Sequence, residues 1–196
     1  MSGEVTLAND AMRLQPDDAL IVVDLQRDFC PGGALPVADG DKVIPLVNEL
    51  IEEAVATGAC VVALRDWHPL EHASFHDSGG LWPPHCVQGS EGAKFHADLR
   101  LPQDTMIVSK GEAPERDQYS AFDSTGLTDH LRRLGVHRVL IVGLAQEVCV
   151  RAPAFDAVAA GFETHVRLSA TRPLTSRGGR DAVEDLRNVG VVIEES

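Results

Sequence analysis

The chain has 196 residues, of which 44% are apolar and 24% are charged. These values are typical of one globular domain with its own core, and they exclude a disordered chain. The net charge of −13 disfavours nucleic acid or an anionic membrane as a partner, because both attract basic surfaces. No apolar stretch approaches the roughly 18–20 residues of a membrane span, and the acidic, polar N-terminus is not typical of a signal peptide. Four scattered cysteines favour a reducing, cytoplasmic location over a disulfide scaffold.

Six short apolar runs predict β-strands, at residues 19–24, 60–64, 105–109, 139–143, 163–168 and 190–193. The runs are continuous rather than alternating, which is typical of parallel strands that are buried on both faces. Between them, apolar residues recur with a helical period over 43–55, 127–134, 149–160 and 182–186. This alternation predicts an α/β fold of three layers, with helices on both faces of a mostly parallel sheet. Without a repeat or a linker, one domain over 1–196 is the simplest interpretation, with residues 1–15 as an extension of unassigned role.

The connection between the second and third strands is unusually long, at about 40 residues, and is rich in histidine. The chain has eight histidines, and five of them lie within residues 68–96: His68, His72, His76, His85 and His96. Long loops in compact domains are often functional, and histidine is the commonest metal ligand in proteins. The loop therefore indicates either a metal site or a polar surface segment.

Reactive side chains follow four of the predicted strands. Asp24 ends the first, Asp66 and His68 follow the second, Lys110 follows the third and Cys149 lies just beyond the fourth. In open parallel sheets, ligands bind beyond the carboxyl ends of the strands. The order of these residues therefore predicts one site at that edge.

Cys149 is predicted to lie in the first turn of a helix, where the positive end of the helix dipole lowers a thiol pKa. On position alone, a buried packing cysteine remains the commoner outcome. Lys110 is notable because the chain has only three lysines, and its ammonium could stabilise a thiolate beside a carboxylate. Asp24 then fits a general base for the thiol, although a turn or helix-cap acid is the simpler alternative.

Asp66 and His68 are two residues apart, so in an extended segment their side chains share one face. With His85 they form a candidate three-ligand site for one divalent metal ion, for which zinc, iron and manganese are all suitable. His72 is a candidate fourth ligand or a residue that supports a ligand. Loop histidines that bond only to backbone remain the alternative.

The segments that carry these residues are VVDLQRDFCPGGALPV, RDWHPLEHASF, WPPHCVQGSEGAKFH, SKGEAPERDQYSAF and GLAQEVCVRAPAFDAV. In order and spacing they resemble the signature segments of nicotinamidases, which are cysteine hydrolases of the isochorismatase-like fold. The resemblance extends from about residue 19 to 168. One departure is Ala145-Gln146-Glu147, where members usually carry Ala-Thr-Asp.

The resemblance implies a catalytic triad of Asp24, Lys110 and Cys149, and a metal site of Asp66, His68 and His85, with His72 as an extra ligand in some members. It implies a cis peptide between Leu144 and Ala145, and an oxyanion hole formed by the amides of Ala145 and Cys149. It also implies a six-stranded sheet of order 3-2-1-4-5-6. The substrate pocket would be lined by Phe29, Trp82, Tyr119, Leu144 and Ala145.

The implied reaction converts nicotinamide to nicotinate and ammonia through a thioester on Cys149, with the metal orienting the pyridine ring. Members often form dimers or larger assemblies, so a homo-oligomer is also expected. Three alternatives stay open. They are an isochorismatase-type amidase for another small amide or carbamoyl compound, a metallohydrolase that uses metal-bound water, and a metal-binding protein without catalysis.

Overall fold

The computed structural model describes residues 12–195. Residues 1–11, which form most of the expected N-terminal extension, and residue 196 lie outside the described range. Residues 12–15 contact the rest of the chain: Leu14 is fully buried, and its backbone N–H donates to Glu53 Oε1 over 2.9 Å. None of the helices within 12–195 has the length and apolar character needed to cross a membrane.

The sheet has six strands, and every neighbouring pair is parallel. In chain order the strands are β1 (Asp18–Val23), β2 (Cys60–Asp66), β3 (Met106–Lys110), β4 (Arg138–Leu144), β5 (Glu163–Arg172) and β6 (Val192–Glu194). The spatial order β3-β2-β1-β4-β5-β6 confirms the expected topology. β5 runs to Arg172, beyond the predicted end at 168, and its pairing with β4 shifts register between Ile141 and Gly143.

Four helices cover the two faces of this sheet: α1 (Ile44–Thr57), α2 (Leu127–Arg133), α3 (Arg151–Ala159) and α4 (Ser176–Asn188). α1 packs on one face, and α2, α3 and α4 pack on the other. In β1, Leu20 and Val22 belong to the core under α1, whereas Ala19, Ile21 and Val23 belong to the opposite core. Because both faces are buried, the strand reads as a continuous apolar run.

The segment that carries Cys149 differs from the prediction of a helix beginning there. The chain first forms a single π-helical turn over Gln146–Val150, closed by a 3.1 Å hydrogen bond from Val150 N–H to the Ala145 carbonyl, and α3 begins at Arg151. Pro153 gives the physical reason. In a continuous α-helix its ring would clash with the carbonyl of Cys149, whereas in the first turn of α3 its missing N–H is not needed.

The strand order reverses between β1 and β4, which are neighbours in space. At such a point the connections leave towards opposite faces and open a crevice beyond the strand ends. Asp24 follows β1 and Cys149 follows β4, so the fold itself places these two residues on either side of the crevice.

Candidate active site and metal centre

Four side chains meet at the carboxyl edge of the sheet, and all four are buried. Asp24 is the first residue after β1, and Cys149 lies in the turn after β4. Asp66 and Lys110 end β2 and β3 and are register partners. The solvent-exposed fraction is 0% for Asp24 and Lys110, 4% for Asp66 and 6% for Cys149. The structure therefore brings together the side chains that the strand ends predict.

The ammonium of Lys110 connects the other three groups. Its Nζ lies 2.7 Å from Asp24 Oδ2, contacts Asp66 Oδ1, and donates to Cys149 Sγ over 3.5 Å. Burial alone would lower the pKa of Lys110, but the two carboxylates raise it well above its usual value. Lys110 therefore remains a cation between a carboxylate and a thiol.

Asp24 is the incompletely bonded member of this group. Although Oδ2 is close to Lys110, neither carboxylate oxygen makes a well-aligned hydrogen bond within the described residues. A carboxylate oxygen of Asp24 also lies within 4.8 Å of Cys149 Sγ. Burial raises the pKa of Asp24 to about 6, against the opposing effect of Lys110. Asp24 can therefore accept a proton close to neutral pH.

Cys149 differs from the expectation that a helix dipole lowers its pKa. Burial raises the pKa of the Cys149 thiol well above its usual value, and Asp24 and Asp66 raise it further while Lys110 opposes them. The thiol is consequently neutral at rest. Its conversion into a nucleophile requires a nearby base, and Asp24, within 4.8 Å of Sγ, is suited to this role.

Asp66, His68 and His85 form a compact set of metal-ligand atoms that all lie within 4.8 Å of one another. Asp66 Oδ2 is 3.6 Å from His68 Nε2 and 3.8 Å from His85 Nε2. The other ring nitrogens point away: His68 Nδ1 donates to the Gly111 carbonyl over 3.0 Å, and His85 Nδ1 donates to the Pro83 carbonyl over 2.8 Å. These bonds leave both Nε2 lone pairs directed at Asp66, so the set fits a divalent cation.

Two residues that the sequence did not single out hold this set in place. The buried side-chain amide of Gln26 accepts from Asp66 N–H and donates to the Asp66 carbonyl, both over 2.8 Å. Gly111 has a φ of 69°, and a Cβ at this position would lie 2.3 Å from Cε1 of His68. A side chain at 111 would therefore displace the imidazole. For Gln26, which lies among other polar residues over 24–28, the sequence carries no signal of this role.

The structure does not place His72 among the metal-ligand atoms. Its Nδ1 is bonded to Ser74 Oγ over 2.7 Å and its Nε2 to the Arg116 carbonyl over 3.0 Å. Its ring packs against His68 with a centroid separation of 4.3 Å. In this arrangement His72 supports the orientation of a ligand and is not itself one, because neither nitrogen has a lone pair directed at the cluster.

A pocket opens beside Cys149 and the metal-ligand set, and Phe29, Trp82, Tyr119 and Ala145 line it as expected. Trp82 Nε1 donates to the Tyr119 hydroxyl over 3.2 Å, which fixes the two rings relative to each other. Leu144 corrects the expectation. Its side chain is fully buried in the core under α1, so it packs beneath the pocket instead of lining it. The sequence did not single out six further lining residues: Leu35, Ser74, Asp117, Gln118, Val148 and Leu174.

The peptide between Leu144 and Ala145 is cis, as the resemblance implies. Beyond it, the Ala145 carbonyl accepts hydrogen bonds from the N–H groups of Val148 and Val150, each over 3.1 Å. These bonds wrap the turn so that both Ala145 and Cys149 line the pocket. The assignment of their amides to an oxyanion hole stays a prediction.

Known proteins resemble this chain over most of its length. The family model described as the isochorismatase domain matches residues 18–196. Nicotinamidase of Escherichia coli (strain K12) is 38% identical over 172 residues, which cover 77% of this chain and 81% of that protein. The pyrazinamidase of Pyrococcus horikoshii, solved in complex with zinc, is 48% identical with a TM-score of 0.89, covering 92% of this chain and 100% of that one. PnC1 of L. infantum, solved in complex with nicotinate, is 36% identical with a TM-score of 0.87, covering 94% and 96%.

Proposed function

The chain belongs to the isochorismatase family, and on that premise we propose that it hydrolyses nicotinamide to nicotinate and ammonia. One observation carries the proposal: Cys149, which Lys110 connects to Asp24, and the Asp66–His68–His85 set line the same pocket. An isochorismatase-type amidase for another small amide would need the first group but not the second. The similarity to nicotinamidases and to a nicotinate complex supports the same substrate.

The pocket suits a flat, neutral ring that carries a carboxamide. Phe29 and Trp82 provide aromatic surface for the ring, and Cys149 lies at the position where the carboxamide would react. We propose zinc as the ion held by Asp66, His68 and His85, with iron or manganese as alternatives. An ion held there would supply a Lewis acid for the pyridine nitrogen and would help to orient the ring.

Acylation starts with transfer of the Cys149 thiol proton to the Asp24 carboxylate. The ammonium of Lys110 contacts both groups, so it stabilises the thiolate as it forms. The thiolate then attacks the amide carbon, and the N–H groups of Ala145 and Cys149 stabilise the oxyanion, each by about 3 kcal/mol. Protonated Asp24 returns its proton to the amide nitrogen, and ammonia leaves as the thioester forms.

Deacylation uses the same residues in reverse roles. Asp24 accepts a proton from a water molecule, which attacks the thioester carbon in the same oxyanion hole. The carbon–sulfur bond breaks, Cys149 recovers its proton and nicotinate is released. Because the substrate is uncharged, the net charge of −13 bears on solubility more than on recognition.

We extend the proposal to the setting of the enzyme: one domain over 1–196, in the cytoplasm, without nucleic-acid or membrane partners. The reduced cysteines of the described residues and the acidic composition support this setting. We also propose a homo-oligomer, as the resemblance to nicotinamidases implies.

The direct test is ammonia release by the purified protein from nicotinamide, measured alongside nicotinate formation. We expect equal amounts of both products, loss of activity in a chelator, and recovery on adding zinc. Pyrazinamide, which has the same ring shape and carboxamide, is a second substrate to assay. Hydrolysis of a carbamoyl compound without hydrolysis of nicotinamide would instead establish the alternative amidase.

A further inference from the structure

We propose that Glu147 is a positioning residue that holds Leu174 as one wall of the substrate pocket, and that this wall limits the size of the ring. The inference rests on the proposed function, because it concerns recognition at the same pocket. Leu174 lies in the connection from β5 to α4, and it is the pocket residue that this connection contributes.

Glu147 makes hydrogen bonds to two successive backbone groups at the start of α4. Its Oε2 accepts from the N–H of Leu174 over 2.9 Å, and its Oε1 accepts from the N–H of Thr175 over 2.8 Å. Each oxygen thus has its own donor, which an ionised carboxylate satisfies and a side-chain amide cannot. A glutamine would place an NH₂ group against one of these N–H groups.

The structure leaves room for this carboxylate. Thr175 Oγ1 accepts from the N–H of Gly178 over 2.9 Å and so caps α4, and it also lies 3.4 Å from Glu147 Oε1. A Cβ at position 178 would lie 2.6 Å from that same oxygen. Glycine at 178 therefore permits the approach of Glu147 to the cap.

The wall and the nucleophile are held by the same short segment. Glu147 and Cys149 both belong to the turn Gln146–Val150. Gln146 adds a second connection, because its Nε2 donates to the Gly179 carbonyl over 3.1 Å. Two successive side chains of this turn thus fix the start of α4, so Leu174 keeps a constant position relative to Cys149.

The aliphatic side chain of Leu174 forms this wall of the pocket and would block a substrate larger than a single ring. It is partly buried and packs against the core under α1, so it cannot move away without loss of contacts. Truncating it should weaken binding of a single ring by about tenfold, the effect expected when several methylene contacts are lost in an apolar pocket. The same truncation should admit a fused second ring.

The experiment compares E147Q, L174A and the double variant with wild type, using nicotinamide and the bicyclic quinoline-3-carboxamide. We expect the KM for nicotinamide to rise about tenfold in L174A and threefold to tenfold in E147Q, more than kcat falls. The ratio of kcat/KM for the bicyclic amide to kcat/KM for nicotinamide should rise in both single variants. Because Glu147 acts through Leu174, the double variant should match L174A within about twofold instead of multiplying the two effects.

The controls are E49Q and L134A, which make the same changes on exposed positions of α1 and at the end of α2.

An unchanged KM in E147Q, or multiplied effects in the double variant, would overturn the inference while leaving nicotinamide hydrolysis intact. If E147Q does not fold, E147D, which keeps the charge, and L174A carry the test. An unchanged ratio of kcat/KM for the two amides in L174A would then overturn the inference. A wild-type enzyme inactive on nicotinamide would overturn the proposed function and this inference together.

Discussion

Two buried charge clusters of this chain differ in how completely their polar atoms are bonded. One, at the outer strands β5 and β6, joins His165, Arg167 and Glu194. His165 Nδ1 bonds to Glu194 over 2.7 Å, and its Nε2 bonds to Glu163 over 3.0 Å. Arg167 Nε donates to Glu194 over 2.8 Å, and its Nη2 donates to the Met12 carbonyl over 2.8 Å. Within the described residues, this cluster leaves none of those groups unsatisfied.

The cluster at the carboxyl edge is more deeply buried but less completely bonded, because Asp24 has an ion pair with Lys110 and no further hydrogen bond of good geometry within the described residues. A buried carboxylate that is paired with a cation but otherwise lacks hydrogen bonds is costly to keep, and a site that must accept a proton has a reason to keep it. The comparison indicates that a buried charge cluster with complete hydrogen bonding stabilises the fold. A buried charge cluster with incomplete hydrogen bonding is instead a sign of a catalytic site. Substitutions in either cluster should therefore be measured for both catalytic activity and stability.

The largest effect is expected from Cys149→Ala, which removes the nucleophile. Turnover of nicotinamide should fall by about 10⁴-fold or more, because without the thiol no thioester forms. Metal content and folding should be retained, since Cys149 is not in the Asp66–His68–His85 set. Ammonia release, elemental analysis and circular dichroism measure the three quantities. Substantial residual activity in this variant would remove Cys149 from the reaction.

Asp24→Asn should lower kcat/KM by about 10²–10⁴-fold, because it removes the base and keeps the shape of the side chain. The fold should lose some stability as well, because the change removes the negative partner of the buried Lys110 ammonium, whose Nζ lies 2.7 Å from Asp24 Oδ2. Steady-state kinetics and chemical denaturation test both statements. A variant that loses stability but keeps its kcat would place Asp24 with the structural residues.

His85→Ala should lower bound metal and raise the KM for nicotinamide by about tenfold or more, because it removes one of three ligands. His96→Ala is a matched control in the same loop, because His96 is not part of the metal-ligand set. Elemental analysis of the purified proteins gives the stoichiometry. An unchanged metal content in His85→Ala would exclude His85 as a ligand.

The smallest effect concerns stability and pH at the outer cluster. Burial alone would lower the pKa of His165, but Glu194 and Glu163 raise it above its usual 6.5. The charged imidazole therefore stabilises the fold below pH 6.5, and this contribution is lost as pH rises through the higher folded-state pKa. His165→Gln should lower the free energy of unfolding by about 1–2 kcal/mol below pH 6.5 and by less above the folded-state pKa. Turnover per folded molecule should be unchanged.

Glu163→Gln is the matched control for the outer cluster. The Glu163 side chain is 61% exposed, so its pairing with His165 should contribute less than about 0.5 kcal/mol. The hydrogen bonds from His165 and Arg167 lower the pKa of Glu194, so the contribution of ionised Glu194 to stability is lost in acid. The series should therefore be measured above pH 4.5. A His165→Gln effect that does not vary with pH would contradict the assignment of a charged pair.

The sequence was sufficient for the sheet and for the residues at its edge, because strand order along the chain determines what emerges there. Asp24 directly follows an apolar run, Lys110 ends one and Cys149 lies in the turn after one, and a parallel sheet brings the residues at these strand ends to one edge. The π turn at Cys149 was missed because the predicted helix ignored Pro153. The pKa of Cys149 was also expected to shift in the other direction, because its burial, which raises the pKa, depends on the whole fold.

The parts of the site that could not be predicted depend on contacts between distant segments. Leu174 reaches the pocket from a connection that lies outside the segments resembling the family. Gln26 supports Asp66 from 40 positions away. Leu144 was expected in the pocket, but the face on which it lies follows from the pleat of β4 and not from its distance to Cys149.

The measurement that tests the central claim most directly is mass spectrometry of the enzyme quenched in acid during turnover of nicotinamide. We predict a mass increase equal to one nicotinoyl group, located on the peptide that contains Cys149 and absent from Cys149→Ala. Turnover that continues in Cys149→Ala without any adduct would contradict it, and would favour direct attack by water at the Asp66–His68–His85 centre.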